Sequence, residues 1–340
     1  MRFGLIGFGQ WGRCHAEAIG KTPGTSLVAI ACGSAVSAEA AKSTYPQATI
    51  YGDWRSVLAN KAVDAVAIVV PNHLHAEMAI IALDAGKRVL LEKPMAISIA
   101  ECDRIVETVE RTGGALSVGH EFRLSTQWGA IKRLIDGGEI GHPLYAMLSL
   151  FRRPYRHGSA NWRYDPRRVG SWILEEPVHF FDMIMWWLED CGNPASVQAF
   201  GNVKQHASAG MHDNFSAVLR WQSGAYAVIT QTLGGFEHHQ VVELVGTEGS
   251  VRASWSGTMD RTREPKHELS VQRRGRSVRE VVEHKASGEI FELEQQLAAV
   301  VAAFREGRSL VSAAEARKRI LVCLEAERSL RDGRPIALQF

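Results

Sequence analysis

The sequence predicts an α/β protein in two parts: a parallel sheet interleaved with helices, then a mostly antiparallel sheet closed by two helices. Up to about Gly119, short β-branched runs alternate with helical patterns, the rhythm of strand–helix–strand units. After Pro143, strand-like runs follow one another with only turn signals between them. At 340 residues the chain exceeds one compact core, since domains commonly run to roughly 100–200 residues, and a division at residues 1–120 and 121–340 follows.

In the first part the expected strands are Phe3–Gly7, Leu27–Cys32, Ala65–Val70, Arg88–Glu92 and Ala115–Val118. Helices fall at His75–Ala85, closed by Gly86, and at Ile99–Thr112, closed by Gly113. In the second part "LYAMLSLF", "NFSAVLRW", "AYAVITQTL", "QVVELVG" and "SVRASW" read as strands, with "QSG" and "GTEG" as turns. One closing helix covers about Ile290–Glu306; the other opens at Ser312 with Glu315 three residues on, a capping-box pattern. "PIALQF" returns as an edge strand, and the polar "GTMDRTREPKHE" of Gly257–Glu268 is expected to be a mobile loop.

Composition excludes several function classes. Hydrophobic content of 46%, 22% charged residues and a net charge of +2 describe an ordinary globular chain with no bulk pull toward nucleic acid or a membrane. Wholly apolar runs such as Leu297–Phe304 fall far short of the roughly 18–20 residues that span a bilayer. "MRFGLIGFG" does not resemble a signal peptide, so a soluble cytoplasmic protein is expected. Five scattered cysteines form no CxxC pair, which fits a reducing compartment.

The first strand runs into Gly7, Gly9 and Gly12 with GxGxxG spacing, and "RCHAEAIG" then reads as a helix. The three glycines suit a tight turn, close approach of a pyrophosphate to the backbone, and helix packing, with the phosphates on the helix N-terminus. Phe8, Gln10 and Trp11 complete that loop. An acidic residue about 20 positions on usually binds the ribose and repels a 2′-phosphate. Here Cys32, Gly33 and Ser34 stand there, with Lys42 the nearest downstream cation, so NAD and NADP both remain open, NAD ahead.

Three further stretches line up in order: "VVPNHLHAEMAIIALDAGKRVLLEKPMA" from Val69, "GHEFRLSTQWGAIKRLIDGGEIGHP" from Gly119, and "ILEEPVHFFD" from Ile173. With the glycine loop, these resemble the glucose-fructose oxidoreductase and inositol dehydrogenase family, Gfo/Idh/MocA, over nearly the whole chain. The triplet Glu92-Lys93-Pro94 at the exit of a strand is the most specific element. The resemblance implies an N-terminal Rossmann doubly wound parallel sheet and a C-terminal α/β domain with a large, open, mostly antiparallel sheet used in oligomer contacts. It implies an NAD(P)-linked oxidoreductase acting on a sugar, cyclitol or related polyol. By it, Lys93 lies beside the nicotinamide and the reacting hydroxyl, Pro71, Asn72, His75 and Glu92 line the cofactor, Glu175 and His179 take the family's carboxylate and histidine positions, and Arg123 and Glu176 face the substrate. The family's common form has aspartate, then glycine two positions later, before the histidine; here Glu175 is one methylene longer and Pro177 replaces the glycine.

The residues themselves leave two readings of this stretch. Pro177 suits the first position of a helix, and Phe181, Ile184, Met185 and Leu188 recur as a buried stripe, so His179 sits in the first turn. The helix dipole favours a neutral ring there while the Glu175 carboxylate favours the imidazolium; a neutral histidine is a sufficient base for a hydroxyl proton. Equally, carboxylates in a first turn satisfy the dipole alone, and a single histidine is commonly structural. Lys93 carries a similar pair of readings, a solvated charge or, at the carboxyl edge of a parallel sheet, a group facing bound ligand. A metal reading of Glu175 and His179 lacks HExxH or a second ligand pair, and His238 and His239, adjacent in a strand, point to opposite faces, so no metal is expected.

"FRRPYRHGSANWRYDPRRVGSW" concentrates Arg152, Arg153, Arg156, Arg163, Arg167 and Arg168 among aromatic residues. One reading is a solvated or oligomer-facing loop. The other has Arg153, Arg156 and Arg163 clamp an anionic sugar while Trp162 and Tyr164 offer a flat face to a pyranose ring. Three functions stand at this level: a sugar or cyclitol dehydrogenase; an eliminating or glycoside-cleaving enzyme that keeps its NAD and passes through a transient keto-sugar; and a non-catalytic cofactor-binding sensor. The partners implied are a small carbohydrate and a second or fourth copy of the chain, with neither nucleic acid nor membrane.

Overall fold

The computed structural model describes residues 1–203, 211–235, 237–276 and 279–340. Its chain divides into two compact units, residues 1–120 with 293–320, and residues 121–292 with 321–340.

The first unit is built from β1 (Arg2–Ile6), α1 (Gln10–Lys21), β2 (Ser26–Ala31), α2 (Ala35–Thr44), β3 (Thr49–Tyr51), α3 (Trp54–Ala59), β4 (Ala65–Ile68), α4 (His75–Asp84), β5 (Arg88–Glu92), α5 (Ile99–Thr112) and β6 (Leu116–Gly119). All strand pairs are parallel, in the order β3-β2-β1-β4-β5-β6. β4 is buried along its whole length, which is why "AVAI" shows no polar alternation. α5 matches its expected span and ends on Gly113 at φ +63°, the left-handed closure that glycine takes without strain. Reading by alternation missed β3 and the short α2 and α3.

The second unit begins with a 3₁₀ turn at Glu121–Leu124, then α6 (Trp128–Asp136), β7 (Pro143–Phe151), α7 (Pro166–Val169), α8 (Trp172–Glu175) and α9 (Pro177–Trp187). There follow β8 (Ser196–Asn202), β9 (Asn214–Arg220), β10 (Tyr226–Thr232), β11 (His238–Gly246), β12 (Gly249–Gly257), β13 (Lys266–Arg273) and β14 (Glu280–Val281). α10 (Glu289–Arg305), α11 (Ala313–Asp332) and β15 (Ile336–Ala337) complete the chain. The nine strands run β14-β13-β12-β11-β7-β10-β9-β8-β15, antiparallel except for the parallel pair β7 and β10. "PIALQF" supplies the edge strand β15, as expected.

Two expectations need correction. The division at residue 120 placed the closing helices wholly in the second part, yet Leu293, Leu297, Val300, Val301 and Phe304 share one core with Phe3, Leu5 and Ile30. The Arg88 guanidinium donates to the Phe304 carbonyl at 3.1 Å, and Val118 N–H to Val311 O at 3.0 Å. The segment Gly257–Glu268 is also not a free loop. Lys266 onward is β13, and the turn before it is pinned by ion pairs of Asp260 with Arg152 and Arg156 and of Arg261 with Glu289.

One face of the nine-stranded sheet packs under α9, with Ala146, Leu148, Ala227 and Ile229 buried. On alternate positions Tyr226, Val245 and Phe151 are exposed beside half-buried Met147, Val228 and Val241. Among the described residues no helix is long and apolar enough to cross a membrane.

Glu292 is buried, its Oε1 accepting from the Ser287 hydroxyl at 2.7 Å and from Gly288 N–H at 3.0 Å. Burial nevertheless pushes its carboxyl up to about 7, and burial does the same to Glu327. Both lie above the ordinary value of 4.5, so the folded chain holds protons that the unfolded chain has released. Their stabilising effect is complete below about pH 4.5 and is lost as pH rises to about 7, on the order of 3 kcal/mol for each group. Buried His238, pushed down to about 3, acts in the opposite sense below about pH 6.5, so in thermal melts from pH 4.5 to 7.5 the readout is the difference between chains: the melting temperature should fall with pH more steeply in the natural chain than in Glu292→Gln; an unchanged slope in the variant would mean Glu292 is not protonated in the fold.

Candidate active site

In the first unit each glycine of the opening loop answers a different steric demand. Gly7 has φ +100°, and a Cβ there would stand 2.1 Å from Val69 O. At Gly12 a Cβ would meet Gly7 O at the same distance, so α1 can lie against the turn only without a side chain. At Gly9, the N-cap of α1, a Cβ would meet nothing within 4 Å. The backbone is open there, which suits an anion on the helix's exposed N–H groups. The residues present fit a dinucleotide.

Other members of the expected cofactor group are turned inward. Glu92 is buried and bonded through Oε1 to His15 Nε2 at 2.7 Å, with the Trp11 ring edge-on to His15 at 5.5 Å. Burial by itself would raise the Glu92 carboxyl, but the His15 hydrogen bond and charge, Lys93 and Trp11 outweigh it and hold it below the usual carboxylate range. Glu92 therefore ties β5 to α1 rather than lining the cofactor. His75 is also fully buried, its ring nitrogens 2.7 Å from Pro94 O and 2.9 Å from Val70 O, so it joins the ends of β4 and β5 instead of facing a ligand. Asn72 is buried, whereas Pro71 and Lys93 are half-buried at strand exits. Phe8 is buried under the Arg13 guanidinium, Gln10 is exposed, and after buried Cys32 the chain surfaces at Gly33 and Ser34, where Ser34 caps α2.

In the second unit Pro177 is the first residue of α9, and His179 N–H donates to Glu176 O at 3.0 Å in the first turn. The expected stripe proves too narrow: every residue from Pro177 to Met185 is buried, because the helix lies between the sheet and the segment before it. His179 is 1% exposed, its ring stacked on Phe122 at 4.5 Å and its Nε2 3.6 Å from Glu121 Oε1. Arg123, two residues beyond Glu121, makes a bidentate pair with Asp182 on α9, at 2.8 Å from Nε and 2.5 Å from Nη2. Glu121, Phe122 and Arg123 thus form a clamp on one helix.

This changes three assignments. Glu175, expected to orient His179, gives its carboxylate to Arg163; one methylene of extra reach carries it to the preceding turn, and Glu121 stands by the histidine instead. Arg123, expected at the substrate, is engaged by Asp182. Trp162 is buried with Tyr155, Val169 and Trp172 and carries the Arg163 guanidinium over its ring, while Tyr164 stacks on His157 and meets Trp172 edge-on, so neither presents a free flat face.

Sequence reasoning missed Glu121 and Asp260 and gave no site role to Arg152, named in the basic segment, or to His238, weighed only as a metal ligand. Glu176 pairs with Arg152 and lies 3.3 Å from His238 Nε2. Burial and the Arg152 charge push His238 down to about 3, so it is neutral. Burial opposes the Asp260 charge, but Arg152, Arg261 and Arg156 outweigh it and lower its pKa. Arg153 is exposed, and Arg156 donates to Asp260 at 3.2 Å. A signal for Glu121 was available, since it follows the end of β6 as Lys93 follows β5. Nothing local marks Asp260. Among the described residues, no group of three or more His, Cys, Asp or Glu side chains could hold a metal ion.

A strand, glycine loop and helix at the centre of a β3-β2-β1-β4-β5-β6 sheet define a dinucleotide-binding protein of the oxidoreductase class. Residues 1–120 match the family model described as oxidoreductase family, NAD-binding Rossmann fold, and residues 128–252 match the corresponding C-terminal domain. The chain belongs to the Gfo/Idh/MocA family. It is similar to inositol 2-dehydrogenase from Rhizobium meliloti strain 1021, 29% identical over 257 residues, covering 74% of this chain and 75% of that one. The Salmonella typhimurium inositol 2-dehydrogenase is 31% identical over 193 residues, the match spanning 56% of this chain and 55% of its own length. Among solved structures, a levoglucosan dehydrogenase in complex with NADH and L-sorbose superposes with a TM-score of 0.86 at 22% identity over 100% of this chain and 99% of its own.

If the clamp is what seats Glu121, its two partners should behave unequally alone and together. Arg123→Met leaves the Asp182 carboxylate buried and unpaired and should cost about 3–5 kcal/mol in urea unfolding. Arg123→Met with Asp182→Leu should recover most of that loss. A double variant as unstable as the single one would contradict the assignment.

Proposed function

We propose that the chain oxidises or reduces a hydroxyl-bearing carbon of a neutral sugar or cyclitol in an NAD(P)-linked reaction, with His179 exchanging the hydroxyl proton. The observation that supports it most is His179 itself: a buried imidazole in a first turn, stacked on Phe122, with the Glu121 carboxylate at 3.6 Å. A base held by a carboxylate on a rigid helix is the arrangement that proton transfer needs, and the same wall shields the ring from bulk water. Bound nicotinamide would supply the two-electron chemistry, with the Gly7–Gly12 loop holding the dinucleotide. Lys93, at the carboxyl end of β5, would stabilise negative charge on the substrate oxygen.

Charge compensation favours a neutral substrate over the anionic one. Arg163 faces Glu175 and Arg156 faces Asp260, so two of the three arginines expected to clamp an anion already meet carboxylates, and Arg152 beside them faces Glu176. The relatives named above are dehydrogenases of inositol and levoglucosan, which carry no charge. The outward sheet face around Tyr226 and Val245 is assigned to a second copy of the chain; sedimentation should give a dimer or tetramer that Tyr226→Lys shifts toward monomer.

The test incubates the protein with NAD or NADP against neutral sugars, acidic sugars and cyclitols, following reduced nicotinamide and sugar products together. Reduced cofactor should appear with the neutral class, and His179→Ala should lower kcat by about 10²–10⁴-fold while cofactor binding is kept. Sugar product without reduced nicotinamide would indicate transient oxidation. Lower Michaelis constants for acidic sugars that rise in Arg156→Leu or Arg163→Leu would overturn the neutral-substrate reading.

A further inference from the structure

We infer that the ribose end of the dinucleotide site accepts a 2′-phosphate and that Arg13 is the residue that holds it, making NADP a ligand of this chain on equal terms with NAD. The inference rests on the dinucleotide reading of the first unit and extends it to the choice between two cofactors.

The first support is what is missing at the end of β2. Strand β2 ends at Ala31, and the next three residues are Cys32, Gly33 and Ser34. A carboxylate at this point would accept from a ribose hydroxyl and repel a phosphate; none of the three supplies one. At Gly33, which is exposed, a Cβ would meet nothing within 4 Å, so the backbone leaves room for a bulky anion.

The second support is a cation that chain order hides. Downstream of β2 the nearest cation is Lys42, but Arg13 stands on α1, the helix that opens on the glycine loop. Its guanidinium carbon sits 5.2 Å from the centroid of the Phe8 ring, a stacking that aims the fork without using its N–H groups. Arg13 is exposed, and among the described residues it makes no ion pair with a carboxylate. It is near enough to Cys32 that its charge opposes the upward push of burial on that thiol.

The third support is the hydroxyl pair beside it. Ser34 and Ser37 place their Oγ atoms 3.0 Å apart at the start of α2, where Ser34 accepts from Ser37 N–H. Hydroxyls and a planar guanidinium are the donors that recognise a phosphate dianion; the acidic residues nearest them along the chain are Glu17 on α1, which pairs with Lys21, and Glu39 on α2.

Binding of NADP and NAD to the full-length chain is measured by quenching of tryptophan fluorescence, for the natural sequence, Arg13→Gln and Gly33→Asp. NADP should bind as tightly as NAD or more tightly; Arg13→Gln should weaken NADP by about tenfold or more and leave NAD within about twofold. Gly33→Asp, which puts a carboxylate into the open space, should weaken NADP more than NAD. NADP binding weaker than NAD in the natural chain would overturn the inference, as would an Arg13→Gln variant that shifts both cofactors alike or neither. NAD binding without NADP removes this inference alone, whereas binding of neither removes the dinucleotide reading as well.

Discussion

The candidate base depends on the ion pair between Arg123 and Asp182. Both groups are nearly out of water, at 10% and 1% side-chain exposure, and each would be unfavourable there alone. A buried pair of this kind adds little net stability over apolar residues, so its consequence lies in geometry. Two parallel N–H···O bonds fix the guanidinium in plane and distance, and with it the 3₁₀ turn from Glu121 to Leu124. Because Glu121, Phe122 and Arg123 are consecutive, placing the third against Asp182 places the second against the His179 ring and the first at its Nε2. His179 and Asp182 lie three apart on α9, adjacent on one helical face, so one helix receives all three contacts.

The first unit uses the same device with different partners. Glu92 is the last residue of β5, and its inward carboxylate holds His15 on α1. The strand that leads into Lys93 is thereby tied to the helix that starts at the glycine loop. A carboxylate next to a lysine can stay ionised while buried only if donors surround it, and His15, Trp11 and Lys93 supply that environment. Within the triplet Glu92-Lys93-Pro94 the glutamate is buried against His15, the lysine is half-buried, and the Pro94 carbonyl meets His75.

How much was legible follows from the range of the interactions. Strands β1, β4 and β5, helices α4, α5 and α9, and the closing helices were readable because their signals are local: β-branched runs, glycine closures and a proline at a first turn. Strands β8 and β13 were not, since "SVQAFGN" and "KHELSVQR" acquire their strand character from neighbours in the sheet. The histidine was legible from its helix position, but its carboxylate partner was not. Glu175 is near in sequence and Glu121 is 58 residues away, and proximity along the chain favoured the wrong one. Arg13 is hidden for the same reason: it precedes β2 in the chain, on α1, yet its charge acts on Cys32 just past that strand.

The basic segment before α8 shows how a fold pairs off arginines that the sequence concentrates. Six arginines in one stretch suggest an anion site, yet an arginine is recruited by any buried carboxylate within reach, and the carboxylates here come from just downstream and from one remote turn. Glu175 and Glu176 stand on either side of the α8–α9 break, and Asp260 lies in the turn after β12. Once paired in a region of low polarity, neither partner can turn to a charged ligand without leaving the other uncompensated, a loss larger than one new contact returns. A neutral polyol makes no such demand. Its hydroxyls can donate to the outward lone pairs of carboxylates and accept from the remaining N–H groups of the guanidiniums while every ion pair stays closed. Arg152, Arg156 and Arg163 thus meet carboxylates, while Arg153 is exposed and Arg168 donates to the Ala160 carbonyl, and it is on this partial compensation that the proposed neutral substrate rests.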